Sequence, residues 1–262
     1  MDVSLAGLRR RRDYECRLTP DRALETIGEA HDFLRDRGLL TRTADSALPS
    51  LYEACHEDPY RAGGRGFASW PATKWPWAYE LAQRPDVHSL DLHRGKTILL
   101  SDELLALVDP VCRSELDRME REDPGWRSLL RHLASTGPAM TEDIELELGL
   151  KHKELRALRS PLQRCGALVV RPVIVAAGAG DGHVHRSELL RFDQAYPEPS
   201  DAPLDVVAVM GAALRAAVLA PEKDLVRWFS WRWLLPADLP ARLVARGLAV
   251  RPEPGWLAAP AA

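Results

Sequence analysis

The four cysteines, Cys16, Cys55, Cys112 and Cys165, stand far apart, and no two of them form a Cys-x-x-Cys pair. That spacing excludes a zinc ribbon and a disulfide frame, so the thiols read as reduced and mostly buried. No metal site and no cofactor is expected. No apolar run approaches the length that crosses a bilayer, and the N-terminus lacks the apolar core of a signal peptide. The expected location is the cytoplasm, with no membrane partner. There is no fixed-period repeat. There is also no surplus of basic charge: 35 Lys and Arg face 38 Asp and Glu, for a net charge of −3. A nucleic-acid binder of this charge must gather its basic groups on one side.

What is present suits an ordinary soluble globular protein. At 262 residues the chain holds one large domain or two to three small ones. Its 20 prolines imply many short elements and sharp connections. The most informative stretch runs from Gly125 to Phe192. A helix from Trp126 to Ala134 puts Trp126, Leu129, Leu130 and Leu133 on one face. After a turn at Ser135–Met140, Thr141 is placed to N-cap a short helix, Glu142–Leu148, with acids in its first turn. A third helix starts near Lys151 and ends at Gly166. Pro161 predicts a kink there, or an end to the straight part near Arg159. Ala167–Val170 and Val173–Val175 read as strand, Ala176–Gly182 as a glycine-rich tip, and His183–Phe192 as the returning strand.

This order is that of a winged helix-turn-helix, which places its third helix in a DNA major groove. Leu155, Leu158 and Leu162 face the core at steps of three and four. Lys151, His152, Lys153, Arg156, Arg159, Gln163 and Arg164 are left outward, with Glu154 the only acid among them. That face is suited to DNA phosphates and base edges. The alternative is a solvated helix on a module used for protein contacts.

Arg9–Arg12 suits a phosphate-seeking arm or the solvated end of a short helix. Thr19-Pro20-Asp21 predicts the start of a helix that runs to Gly38. Ala44–Ala54 reads as a second helix, with Leu48, Leu51 and Tyr52 inward. Glu57–Thr73 is loop-like. Trp70, Trp75 and Trp77 suit either a stacking wall for an unpaired base or the packing of a helix, Trp75–Gln83, against its domain. Packing is the preferred reading, because aromatics bury large areas. Val87–Leu92 and Thr97–Leu100 form a hairpin with a basic tip, His93-Arg94-Gly95-Lys96. A helix through Leu104 to Pro110 and a second, Val111–Arg121, lead into the central module.

A proline-rich linker, 195–203, precedes a helix, Leu204–Leu219, that is apolar all round and so buried. Pro221-Glu222 opens another helix. A short helix, Ala241–Arg246, stops at Gly247, and Leu248–Arg251, a turn, and Trp256–Ala258 give strand, turn, strand. The expected fold is mainly α with small β-wings (α+β), as tandem winged helix-turn-helix modules. The regions are an N-terminal helical, winged-helix-like part (1–86), a central hairpin and winged helix (87–194), and a C-terminal winged helix (204–262).

With these modules placed, the chain resembles the AlkZ/YcaQ-like winged-helix family of bacterial proteins over about Arg22 to Trp256. The resemblance rests on His93-Arg94-Gly95-Lys96 before a helix, on the module Leu130–Val169, and on the close Gly247–Trp256. It implies double-stranded DNA as partner and alkylation or crosslink repair by a DNA glycosylase as the associated chemistry. The family's signature, Gln, one apolar residue, then Gln or Asp, has its nearest match at Thr43-Ala44-Asp45. Asp45 then holds the acidic position, to orient the attacking water and to stabilise the cationic sugar. Thr43 stands where the family has Gln, so one water-positioning amide is absent. Asp45 reads first as an N-cap for the helix after it. Arg94 and Lys96 are candidates for the flanking phosphates. A winged-helix transcription regulator and a non-catalytic protein-binding scaffold are the alternatives.

Overall fold

The computed structural model describes residues 4–177 and 182–260, and the side chains of all of these except 174–177 and 182–185. The first helix, α1 (Leu5–Glu15), is capped by Ser4 and carries the arginine run. Those arginines are engaged along the fold: Arg9 lies over the Trp256 ring, Arg11 bonds Glu15, and Arg12 reaches the carbonyl of Ala47. The helix expected to run unbroken from Thr19 to Gly38 is instead a 3-10 turn, Pro20–Arg22, and then α2 (Ile27–Arg37). The break has a cause. Leu24 is fully buried and its N–H goes to the carbonyl of Ala54. Thr26 then caps the new helix through the Glu29 amide, and the Glu29 carboxylate returns to the amide of Glu25.

β1 (Leu39–Thr41) follows, then α3 (Leu51–Ala54), α4 (Trp77–Ala82), β2 (Val87–His93) and β3 (Lys96–Ser101). They form an antiparallel sheet in the order β1-β3-β2. The helix expected over 44–54 is thus a single turn, capped by Ser50. Upstream of it, the Ala44 amide is held by Tyr60 Oη and the Ala47 amide by Asp224. Pro49 further disfavours helical geometry at Leu48.

α5 (Asp102–Glu122) was expected as two helices parted at Pro110, but it is continuous. Val108, Val111, Cys112, Leu116 and Met119 keep one face of it in the core on both sides of the proline. This burial outweighs the lost backbone bond. Asp123 caps α6 (Pro124–Thr136). Then come β4 (Ala139–Met140), α7 (Thr141–Glu147), α8 (His152–Cys165), β5 (Leu168–Ala177), β6 (Gly182–Arg191) and α9 (Phe192–Ala195). The second sheet has the order β4-β6-β5. Thr141 lies inside α7 and Met140 occupies the cap. Pro161 does not end α8, which continues so that Leu162 and Cys165 are buried. Gly166 stops the helix at φ +87°, and a Cβ there would run into Cys112 Sγ. Of the glycine-rich tip expected at Ala176–Gly182, Gly178–Asp181 lie outside the described residues.

α10 (Val206–Ala217) is almost wholly buried. After it come β7 (Leu219–Pro221), a 3-10 turn at Glu222–Arg227, α11 (Leu239–Ala245) and β8 (Trp256–Ala258). β7 pairs with β8, and Val250 bridges Ala258 on the other side of β8. Three stretches therefore share one plan. In each, a helix and a strand are followed by helical turns and two further strand segments, and the last segment lies between the other two. One buried cluster runs through all three, from Leu39 past Leu129 and Leu162 to Leu257. A second, with Phe33, Leu34, Tyr52 and Leu81, fills the space under α2 and α4. The class is α+β. Among the described residues no helix is long and apolar enough to cross a membrane. All four cysteines are free and buried.

Candidate functional site

Asp45 lies in the turn between β1 and α3 and caps no helix. Its Oδ2 accepts from Thr43 Oγ1 at 2.6 Å and from Lys96 Nζ at 2.6 Å. Oδ1 has no protein donor among the described residues. Burial alone would raise this carboxyl, but the bonds from Lys96 and Thr43 and the charge of Lys96 outweigh it. Asp45 is therefore held below the usual carboxylate range and is ionised at neutral pH. The turn that carries it is fixed at several points. Tyr60 Oη accepts the Ala44 amide at 2.9 Å, Asp224 Oδ2 accepts the Ala47 amide at 2.6 Å, and Ser50 Oγ donates to the Arg42 carbonyl at 3.2 Å.

Lys96 reaches this turn from the tip of the β2–β3 hairpin. Arg94 and Gly95 both have positive φ, +57° and +77°, as a two-residue hairpin turn requires. Gly95 is needed for space as well. A Cβ there would lie 2.8 Å from Arg164 Nε, because the C-terminal end of α8 packs on the tip.

Beside Asp45 is a cavity of about 160 Å³, lined by Arg42, Asp45, Tyr60, Arg61, Trp70 and Lys96. The Arg42 guanidinium sits 4.9 Å from the Trp70 ring centre. Trp70 in turn meets Tyr52 at 6.0 Å and Trp75 edge-on at 6.3 Å. The three tryptophans divide. Trp77 packs against the core under α4, whereas Trp70 is 39% and Trp75 50% exposed. Packing explains only the first. The cavity thus offers an aromatic wall backed by a guanidinium, two further cations and one ionised carboxylate.

The predicted residues of α8 separate along the helix. Lys151, His152, Lys153 and Arg156 are exposed, and Lys153 and Arg156 make no ion pair among the described residues. His152 is bound by Glu145 of α7 at 2.8 Å. Gln163, expected outward, is half-buried and points its amide at Asp91 Oδ2, 3.3 Å away. Asp91 also accepts from Thr97 Oγ1 at 3.1 Å, and burial pushes its carboxyl above the usual range, with Arg159 and Arg42 acting against the shift. Arg159 and Gln163 are half-buried and turned towards the hairpin, and Arg164, though exposed, lies along the Gly95 tip, so the basic face clear of the hairpin is the first half of α8. At about 1.5 Å per residue, Lys153 lies roughly 16 Å along the helix from Arg164 and the tip.

The structure brings Asp45, Lys96 and, through Gly95, Arg164 to one corner, with Arg94 exposed on the same tip. Arg42, Tyr60, Arg61 and Trp70 complete the cavity, and of these only Trp70 stood out in the sequence, as one of the three tryptophans that suited a stacking wall or packing. Tyr60 and Arg61 lie in a glycine- and proline-rich loop with no periodic signal. Arg42 directly precedes Thr43 and was the one within reach. Comparison with protein-family models, with curated proteins and with solved structures finds no match to the chain.

Proposed function

We propose that the chain is a duplex-DNA-binding protein of three winged helices, 27–101, 124–191 and 206–258, that extrudes one damaged base and cleaves its glycosidic bond. The observation that carries this reading is the meeting of Asp45 and Lys96, 51 residues apart, at 2.6 Å on the wall of the aromatic cavity. The repeated plan of helix, strand, helical turns and two strand segments supports the winged-helix assignment. In it α8 is the groove-facing helix, and Lys151, Lys153 and Arg156 meet phosphates.

The chemistry follows from the cavity. A planar base stacks on Trp70 with the Arg42 guanidinium behind the ring. Asp45 is ionised, its Oδ2 is fixed by Lys96 and Thr43, and its Oδ1 is left to accept a proton from water. That water attacks the sugar carbon while the carboxylate stabilises the cation that forms as the base leaves. With Thr43 in place of an amide, the site gives the leaving group little help. The base must therefore leave readily by itself, as a cationic alkylated base does.

The test is binding to a plain duplex and to one carrying a single unpaired or alkylated nucleotide, read by anisotropy and by tryptophan emission. The damaged duplex binds tighter and quenches the emission, and Trp70→Ala removes the quench. Equal affinity for both duplexes, with no change in emission, contradicts the reading.

A further inference from the structure

Both halves of the Asp45–Lys96 pair are tied to one short segment of the C-terminal region. On the Asp45 side, Asp224 Oδ2 accepts the Ala47 amide at 2.6 Å, across 177 residues, and the Trp228 indole N–H at 3.0 Å. On the Lys96 side, His93 is the cross-strand partner of Lys96 and donates from Nδ1 to the Trp228 carbonyl at 2.7 Å. A carbonyl only accepts, so the proton sits on Nδ1, and the buried Nε2, which has no partner, is the unprotonated nitrogen. The carbonyl of Leu92, next along β2, accepts from the Ser230 amide at 2.9 Å and from Ser230 Oγ at 3.1 Å. Asp224, Trp228 and His93 are all buried.

We propose that the segment Asp224–Ser230 positions the site, with Asp224 holding the Asp45 turn and Trp228 and Ser230 holding the hairpin that carries Lys96. This rests on the function proposed above for Asp45. Lys96 is 48% exposed, and an ion pair that open to water is too weak to set its own geometry. The bonds that hold the two backbones are buried or partly buried, and the one at Ala47 is charge-assisted. They fix the distance between the turn and the tip, and the ion pair follows from that distance. The C-terminal winged helix is then a brace for chemistry carried out by the N-terminal one.

Asp224→Asn keeps the shape and one acceptor oxygen for the two N–H donors, but it removes the charge that strengthens both bonds and sets an amide N–H₂ on the side of Arg227. Three readouts are taken on the full chain: the NMR titration of the Asp45 carboxyl, base release from an alkylated duplex, and affinity for plain duplex. In Asp224→Asn the Asp45 midpoint rises towards the ordinary carboxylate value as Lys96 draws away. Base release falls roughly 100-fold, the scale of a misplacement of about an ångström. Plain-duplex affinity is unchanged. Ser230→Ala deletes only the side-chain bond to Leu92 and gives a smaller rise of the same sign. Should Asp224→Asn not fold, Ser230→Ala alone decides. An Asp45 midpoint that stays at its wild-type value in the folded variants overturns the proposal. The titration needs no substrate, so it reads the brace even if the wild type releases no base, an outcome that would contradict only the excision reading.

Discussion

α8 carries basic side chains along its whole length, but its two halves meet different surroundings. Lys151, Lys153 and Arg156 project into solvent, while Arg159, Gln163 and Arg164 are turned to the β2–β3 hairpin and Asp91. Helical periodicity marks both halves as facing away from the core of their own module. It carries no information about a second module packed on that face. The contrast teaches that outward spacing and free surface are separate properties in a chain of stacked modules.

The largest effect that tests this division lies in the helix core. Leu162 is fully buried and Leu158 only partly so. Leu162→Ala should cost about 2–5 kcal/mol in urea unfolding, and Leu158→Ala less. The reverse order would mean that the facing of α8 is wrong. Next is a pair of glycines. Gly95→Ala and Gly149→Ala both force a residue into the left-handed region, at φ +77° and +63°, a cost of about 1–2 kcal/mol each. Only Gly95 has Arg164 against it, whereas nothing lies within 4 Å of Gly149. The extra loss at Gly95 measures the contact between α8 and the hairpin, and equal losses would dissolve the distinction between the two halves.

A smaller effect is set by pH. Asp45 and His93 both have lowered values in the folded chain, Asp45 chiefly through Lys96 and Thr43 against its burial, and His93 through burial. A lowered value contributes stability that is complete above the unfolded value and is lost as pH falls through the folded one. Stability should therefore decline on acidification below about 6.5, where an unfolded histidine begins to take up a proton. His93→Gln should remove the upper part of that decline while the Asp45 part, in the carboxylate range, persists. An unchanged profile would show that His93 is not held neutral. The smallest effect on stability belongs to Lys153→Ala and Arg156→Ala, each within about 0.5 kcal/mol of the wild type. Their signature is in binding, where each should flatten the salt dependence by about one phosphate contact. The same change at Arg164 should flatten it less.

Much of the fold was legible because its signals are local. The stops at Gly38 and Gly166 and the apolar faces of α6 and α8 sit where periodicity and capping place them. What failed depends on distant partners. Of the helix expected over Ala44–Ala54, the part before Ser50 is pulled into a turn by Tyr60 and Asp224. Pro110 and Pro161 read as breaks, yet the core carries both helices through. The site was half legible. Asp45, Arg94 and Lys96 came from short motifs and Trp70 from its tryptophan cluster, whereas Arg42, Tyr60 and Asp224 join only through tertiary contact, for which a single sequence offers no signal.

The proposed chemistry turns on the Asp45 carboxylate. The most direct measurement is free base released from an alkylated duplex by wild type and by Asp45→Asn, with duplex affinity recorded on the same samples. The expected result is release by the wild type, none by Asp45→Asn, and equal affinity for both. Release that persists in Asp45→Asn, or none from the wild type on a duplex it demonstrably binds, contradicts it.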